Sequence, residues 1–359
     1  MSQTPQLELQ RFQTAGGAEV FQLPLRLFPG MGSFAPLQGY AYLALVDGDD
    51  GPYRVLIDAG SGLGDSNPDL EAGFQAVSML IGQPIHLPDL THILITHAHI
   101  DHFGGLTYLE SRTPAKIGIH ELDLRVLTNY EERLTLVARR LGEFLIEAGV
   151  PQEQRQNLIG MYQLSKRVFH SVRVDFTFEA IGMRLGPFEM LHTPGHCAGH
   201  VVIRLHDILF SGDHVLRNIS PHQSPEHLTL STGLDHYLKS LQRLRAWVDE
   251  ASSPIRLTLG GHQAPIDDLI GRIDEIERLH RQRLEQTLQR MKQPCTIREV
   301  SQALFGDVHG YNVLLALEEA GAHVEYLYQR GLLSVENLQE LEASDAPIAV
   351  RYRCLPCPD

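Results

Sequence analysis

Residues 96–105 read Thr96-His97-Ala98-His99-Ile100-Asp101-His102-Phe103-Gly104-Gly105. Imidazole nitrogens and carboxylate oxygens are the usual protein donors to divalent transition metals, and here they crowd into one short segment. In an extended chain, residues two apart point the same way, so His97 and His99 can share one ion. Asp101 and His102 are neighbours and must point apart, an arrangement that suits two adjacent ions better than one. Gly104 and Gly105 let the chain turn close to the site without a Cβ in the way. A histidine-rich surface loop would look similar in isolation. Three further donors argue against that reading: His196 in Thr193-Pro194-Gly195-His196-Cys197-Ala198-Gly199-His200, Asp213 in Ser211-Gly212-Asp213-His214, and His262 in Gly260-Gly261-His262. Each follows a segment that reads as a strand.

The elements that must position these residues are legible in outline. Residues 18–60 read as strands, with apolar runs at 40–46 and 53–57 separated by a turn-forming Asp/Gly/Pro stretch. The run 92–95 is short, apolar and β-branched, as a buried strand should be, and it feeds directly into the histidine cluster. From 121 to 149 apolar residues recur at three- and four-residue spacing, which predicts a helix. Strand-like alternation returns at 167–191. Strands follow at 201–205 and 207–210, then a helix at 235–249 and a last strand at 255–259. Residues 266–335 are helical in pattern. The expected organisation is an N-terminal extension (1–17), a catalytic domain (18–265) with a helical lid insert at about 121–160, a small helical domain (266–335) and a tail (336–359).

The order of these motifs resembles the metallo-β-lactamase superfamily of metallohydrolases, and Leu56-Ile57-Asp58-Ala59-Gly60 resembles its early strand-plus-Asp motif. The resemblance spans about residues 18–265. It implies an α/β (α+β) fold, an αββα sandwich with metals at one edge of two sheets. Carried over position by position, it implies that His97, His99 and His196 bind a first metal. Asp101, His102 and His262 would bind a second, and Asp213 would bridge the two, with Asp101 and Asp213 as the carboxylates taking part in catalysis. Asp58 would stand behind the ligands and orient their loop. The stretch after His262 resembles a subgroup with a C-terminal winged-helix-like domain, whose members include glyoxalase II-like or acyl-thioester hydrolases and endoribonucleases.

Two divalent ions held by neutral imidazoles are strong Lewis acids, and an open position takes a water whose pKa falls toward about 7. With two aspartates and a hydroxide the site keeps a net positive charge, suited to stabilising an oxyanion. Zinc fits the donor set best, with iron or manganese as alternatives. The expected function is hydrolysis by a metal-bound hydroxide of an ester or thioester carbonyl in a small anionic substrate, such as an acyl-coenzyme A or glutathione thioester. The alternatives are an endoribonuclease acting on single-stranded RNA, a lactonase, and a non-catalytic metal-bearing sensor or binding module. Leu216 stands where lactonases of the superfamily carry a tyrosine. Residues 278–298 carry Arg278, Arg281, Arg283, Arg290, Lys292 and Arg298 against Glu285 alone, a face that could hold RNA or the phosphates of coenzyme A. The leucine-rich lid could cover an acyl chain or simply pack against neighbouring helices.

Candidates for substrate contact are His170, His200 and His214. His86, His92, His120, His192 and His206 read as structural or surface residues, Cys197 as packing beneath the site, and the Cys354/Cys357 pair as incidental. The 359-residue chain is 43% hydrophobic and 21% charged, which predicts a sizeable core rather than disorder. With 30 Lys and Arg against 44 Asp and Glu, the formal charge of −14 excludes a chain that coats nucleic acid or anionic membrane with its whole surface. Four cysteines make no disulfide scaffold, and no apolar run is long enough to span a membrane. A cytoplasmic location is therefore expected, without a membrane partner, and a homodimer is the base-rate expectation for assembly.

Overall fold

The computed structural model describes residues 8–28, 37–48, 51–250 and 253–356. Strands β1 (Gln10–Gln13), β2 (Glu19–Phe28), β3 (Leu37–Gly48) and β4 (Gly51–Ile57) form an antiparallel meander. After helix α1 (Ser66–Ile81), strands β5 (His92–Leu94), β6 (Lys116–Ile119) and β7 (Phe176–Thr177) extend the same sheet in parallel from β4. The short helices α2 (Ile100–Phe103) and α3 (Leu106–Leu109) separate β5 from β6. Helices α4 (Glu121–Thr128), α5 (Tyr130–Glu147) and α6 (Gln152–Lys166) separate β6 from β7. The second sheet comprises β8 (Arg184–Leu185), β9 (Phe188–His192), β10 (Val201–Leu205) and β11 (Ile208–Gly212), antiparallel throughout. After α7 (Leu234–Asp249), β12 (Leu257–Gly260) joins it parallel to β11.

Side-chain alternation makes the sandwich. On β10, Val201, Ile203 and Leu205 face inward and meet Tyr42, Val55, Ile57 and Leu94 of the first sheet, while Val202 faces outward against Leu241 and Leu244 of α7. On β2, Val20 points into that central layer, whereas Phe21, Leu23 and Leu25 pack under Leu70, Phe74 and Val77 of α1. Each sheet thus buries one face on the other and one on helices, an αββα sandwich. Helix α1 lies in a stretch where no helix was expected.

The C-terminal part contains α8 (Leu269–Arg290), α9 (Ile297–Phe305) and α10 (Asn312–Gln329), followed by β13 (Leu333–Val335), α11 (Leu338–Glu342) and β14 (Tyr352–Cys354). Helix α9 opens on a capping box, in which Thr296 Oγ1 accepts from the Glu299 N–H and Glu299 Oε2 accepts from the Thr296 N–H.

Four local expectations change. Residues 336–356 are no loose tail, since β14 pairs with β13, Tyr352 exchanges backbone hydrogen bonds with Cys295, and the Val350 N–H donates to the Glu147 carbonyl. The helix expected over 121–149 breaks at Asn129, where the Tyr130 N–H is taken by Ser171 Oγ. Of the strand-like stretch 167–191, only 176–177, 184–185 and 188–191 lie in strands. In the N-terminal extension, residues 10–13 form the edge strand β1. The lid choice is resolved by packing. Leu141, Phe144, Leu145, Leu158 and Tyr162 of α5 and α6 form one core with Met291, Cys295, Ile297, Leu314 and Leu317. These apolar residues are spent between helices, while Leu136 and Leu164 of the same pair stay exposed. Cys357 lies outside the described residues. Among the described residues, no helix is long and apolar enough to cross a membrane.

Candidate metal centre

The candidate donors sit where strands end. Strand β5 stops at Leu94, and within three residues its continuation has delivered His97. Strand β4 ends immediately before Asp58, whose φ of 60° turns the chain in the left-handed region that Asp tolerates better than most residues. That turn aims the Asp58 carboxylate at the next crossover. It accepts from the Thr96 N–H (2.8 Å) and Thr96 Oγ1, and it meets His102 Nδ1 at 2.8 Å. The helical segment carrying His102 lies directly against residues 59–61. A Cβ on Gly105 would run into the Ala59 carbonyl, and one on Gly104 into the Ser61 carbonyl. Glycine is required at both positions by close approach.

Three clusters of donor atoms result. His97, His99 and His196 converge, with Cys197 beside them; so do His97, His102 and Asp213, and also Asp101, His102 and His262. His97 Nε2 and His99 Nδ1 are 3.1 Å apart. Asp213 stands between the groups, with Oδ2 at 3.9 Å from His196 Nε2 and 3.5 Å from His262 Nε2, and Oδ1 at 3.6 Å from His102 Nε2. Asp101 Oδ2 lies 3.2 Å from His262 Nε2. All seven residues expected around the metals therefore surround one space.

The other ring nitrogens are already engaged. His196 Nδ1 donates to the His222 carbonyl and His262 Nδ1 to the Gln38 carbonyl, each at 2.7 Å, while His97 Nδ1 meets Thr96 Oγ1 at 3.0 Å. Inward, His102 Nε2, His196 Nε2 and Asp213 Oδ1 are buried without any hydrogen-bond partner. Buried polar atoms are rarely left this way, because each one forfeits its hydration. Three such atoms converging, each on a residue whose outer side is fixed, fit a pair of cations.

Electrostatics agrees. Burial, reinforced by neighbouring imidazoles, pushes His97 and His99 well below the ordinary histidine pKa, and burial lowers His196 as well. These three rings are neutral and present lone pairs. Burial works the same way on His102 and His262, but carboxylates outweigh it. Asp58, Asp213 and Asp101 raise His102, while Asp213 and Asp101 raise His262 to about 10. In turn, those two histidines hold Asp101 and Asp213 below the usual carboxylate range despite their burial. Protons on His102 and His262 thus supply, in the metal-free chain, positive charge that bound cations would bring. Burial pushes the Cys197 thiol up, which keeps it protonated and a weak competitor as a ligand.

The candidates for substrate contact fare differently. His200 is fully buried; its Nδ1 meets Thr193 Oγ1 at 3.0 Å and its Nε2 accepts from the Asp213 N–H at 3.1 Å. It positions Asp213 from behind. His214 is also fully buried and packs its ring on Tyr237. Neither can line the mouth of the site. His170 is exposed and faces Glu131 of α5 at 3.4 Å.

Two supports escaped the sequence reading. Asp123, on α4, is buried and accepts from the N–H groups of Ala98 and Gly199, both at 2.9 Å. It ties the loop of His97 and His99 to that of His196, and burial, outweighing these two bonds, pushes its pKa up to about 6. The other is the segment around His222, which supplies a backbone carbonyl. Nothing in residue spacing marks either one.

Comparison with known proteins now decides the family. The profile of the metallo-beta-lactamase superfamily matches residues 35–283. The chain belongs to the metallo-β-lactamase superfamily. As a member of it, the protein is a metal-dependent hydrolase of a class that binds divalent metals. It is 26% identical over 303 residues to the probable metallo-hydrolase YqjP of Bacillus subtilis (strain 168), covering 80% of this chain and 88% of that one. It is 27% identical over 172 residues to the hydroxyacylglutathione hydrolase of Stenotrophomonas maltophilia (strain R551-3), covering 48% of this chain and 45% of that one. Among solved structures, the metallo-beta-lactamase family protein TTHA1429 from Thermus thermophilus aligns over 94% of this chain and 98% of its own. That alignment has a TM-score of 0.68 and 25% identity. The superfamily fold read from the motifs is the observed one.

Proposed function

We propose that this metallo-β-lactamase superfamily hydrolase cleaves ester or thioester carbonyls in small anionic substrates of the acyl-coenzyme A or acylglutathione kind. His97, His99 and His196 would hold one divalent ion, Asp101, His102 and His262 a second, with Asp213 shared and zinc the best match to the donors. The observation that carries the metal-dependent part of the reading is the set of buried inward atoms on His102, His196 and Asp213 without partners. When bound, the ions supply Lewis acidity and an acidified water. Asp101, whose carboxylate faces His262, would help hold the second ion beside that water, and Asp58 keeps the His102 ring turned so that Nε2 points inward.

Two features support a thioester of this charge type. The likeness to a hydroxyacylglutathione hydrolase covers 48% of this chain. In addition, the Lys166 ammonium lies close enough to act on His99, Cys197 and His222, and Arg133 close enough to act on Asp123. Lys166 thus places positive charge near His99, and Arg133 near Asp123 and Cys197, where it favours an anionic substrate. The cationic strip of 278–298, by contrast, is partly consumed. Arg283 is paired with Glu319 at 2.8 Å and Arg290 with Glu299 at 2.9 Å, which weakens the case for RNA.

The test is thiol release from a panel of acyl-coenzyme A and acylglutathione thioesters, with and without chelator and after metal is restored. Chelator-sensitive turnover, recovered with zinc, is expected. No turnover on any member by protein with its metals bound would overturn the thioester reading.

A further inference from the structure

We infer that Glu318 and Glu319 of α10 are positioning residues for the first metal site, acting through the loop that holds His196. The inference rests on the two-ion reading of the site and is independent of the substrate. Between Asp213 and Gly233 the chain has no regular secondary structure, yet it carries the carbonyl that fixes His196. A loop alone cannot hold that oxygen to a fraction of an ångström; something must brace it.

The brace is C-terminal. His222, whose carbonyl accepts from His196 Nδ1 at 2.7 Å, places its own Nε2 2.9 Å from Glu318 Oε2. Ser224 Oγ donates to the same oxygen at 2.9 Å. The next amide, the Gln223 N–H, donates to Glu319 Oε2 at 2.7 Å, and Arg283 of α8 anchors Glu319 Oε1 at 2.8 Å. On the other flank, Ser220 Oγ meets His280 Nε2 at 2.8 Å, and Arg272 Nη2 donates to the Ile219 carbonyl at 2.9 Å. The carbonyl facing His196 is therefore held on both sides in sequence, by groups projecting from α8 and α10.

His280, Glu319 and His323 also converge as a possible ligand cluster, but their atoms are committed to this brace. Burial keeps both histidines neutral. His323 Nδ1 donates to the Glu319 carbonyl at 2.7 Å, so its Nε2 accepts from His280 Nδ1 at 3.2 Å, and His280 Nε2 accepts from Ser220. With Arg283 already balancing Glu319, a cation there would add uncompensated buried charge. The C-terminal helices thus complete a site whose metal donors all lie before residue 263.

Stepwise zinc affinity tests this, read by competition with a chromophoric chelator on the full chain. His262→Ala isolates the first site and His99→Ala the second. In the His262→Ala background, Glu318→Gln and Glu319→Gln are each expected to weaken zinc by roughly 3- to 10-fold, less than the 10- to 100-fold that follows loss of a group bonded directly to a metal-binding histidine, because both act through the His222 segment. In the His99→Ala background the same changes should leave affinity within about twofold. Glu319→Gln turns an amide NH2 toward either Arg283 or the Gln223 N–H and can destabilise the fold; Glu318→Gln, nearer the surface, keeps the test open. Arg290→Ala removes an ion pair between α8 and α9 without touching the loop, and should lower thermal stability while leaving both zinc constants unchanged. Equal weakening at both sites, no weakening at the first, or a similar loss in Arg290→Ala would overturn the inference. Zinc binding is read without substrate, so failure of the thioester reading would not imitate failure here.

Discussion

Replacing Asp58 with Asn probes the support behind the second metal site with little change in shape. Among residues with a Cβ, Asn is one of the most tolerant of the left-handed φ of 60° at this position, so the backbone is spared. The amide keeps one acceptor oxygen and turns an NH2 toward part of a set of three donors that now face a carboxylate, the Thr96 N–H, the Thr96 hydroxyl, which can rotate to accept, and His102 Nδ1. The Thr96 amide cannot change its role. His102 can, by moving its proton to Nε2, and the Asn side chain will therefore settle with its oxygen on Thr96. That tautomer puts a hydrogen on the atom that faces Asp213 and the second site. Loss of a hydrogen bond to a charged group amounts to about 1.5–3 kcal/mol, or roughly 10- to 150-fold in affinity at about 1.4 kcal/mol per decade. Stepwise zinc constants from chelator competition should show the second ion weakened by that factor and the first much less. Equal constants in variant and parent, or selective loss of the first ion, would refute the reasoning.

Three other outcomes follow from the same geometry. Because His262 holds its proton up to about pH 10, a cation entering that site must displace it. Zinc affinity there should rise by up to about tenfold per pH unit below that value, with proton release measurable by calorimetry in buffers of different ionisation heat. The metal-free chain behaves oppositely. The raised pKa of His262 stabilises it fully below the unfolded value of 6.5, and this stabilisation is lost as pH rises from 6.5 to about 10, so melting temperatures of apo and zinc-loaded protein should diverge over that range. Gly105→Ala drives a Cβ into the Ala59 carbonyl and should destabilise by about 1–3 kcal/mol as the overpacked backbone shifts, seen in denaturant titration; a neutral result would contradict the packing of the His102 segment on residues 59–61.

The metal donors were legible because they are chemically distinctive, strictly spaced, and delivered by strands whose apolar runs are plain. His97, His99 and Asp101 could hardly be read otherwise. The supports were illegible for the converse reason. His196 and His262 lean on the carbonyls of His222 and Gln38, groups that every residue type offers, and so no letter in the sequence reports them. Asp123 looked like an ordinary acidic residue early in a helix; only the fold brings Ala98 and Gly199 to its two oxygens. His200 and His214 misled because proximity to a ligand in sequence says nothing about which side of the sheet edge a ring occupies; both are buried, His200 behind Asp213 and His214 against Tyr237. The lid helices had the right periodicity, yet an apolar face alone does not say whether it meets substrate or, as here, α9 and α10.

The central claim is that seven side chains hold two cations through a shared Asp213. It is tested most directly by calorimetric titration of metal-free protein with zinc, comparing the parent chain with Asp213→Ala. Two binding events per parent chain, and loss or marked weakening of both in the variant, is the predicted result. A single event in the parent, or two unaltered events in Asp213→Ala, would contradict the account.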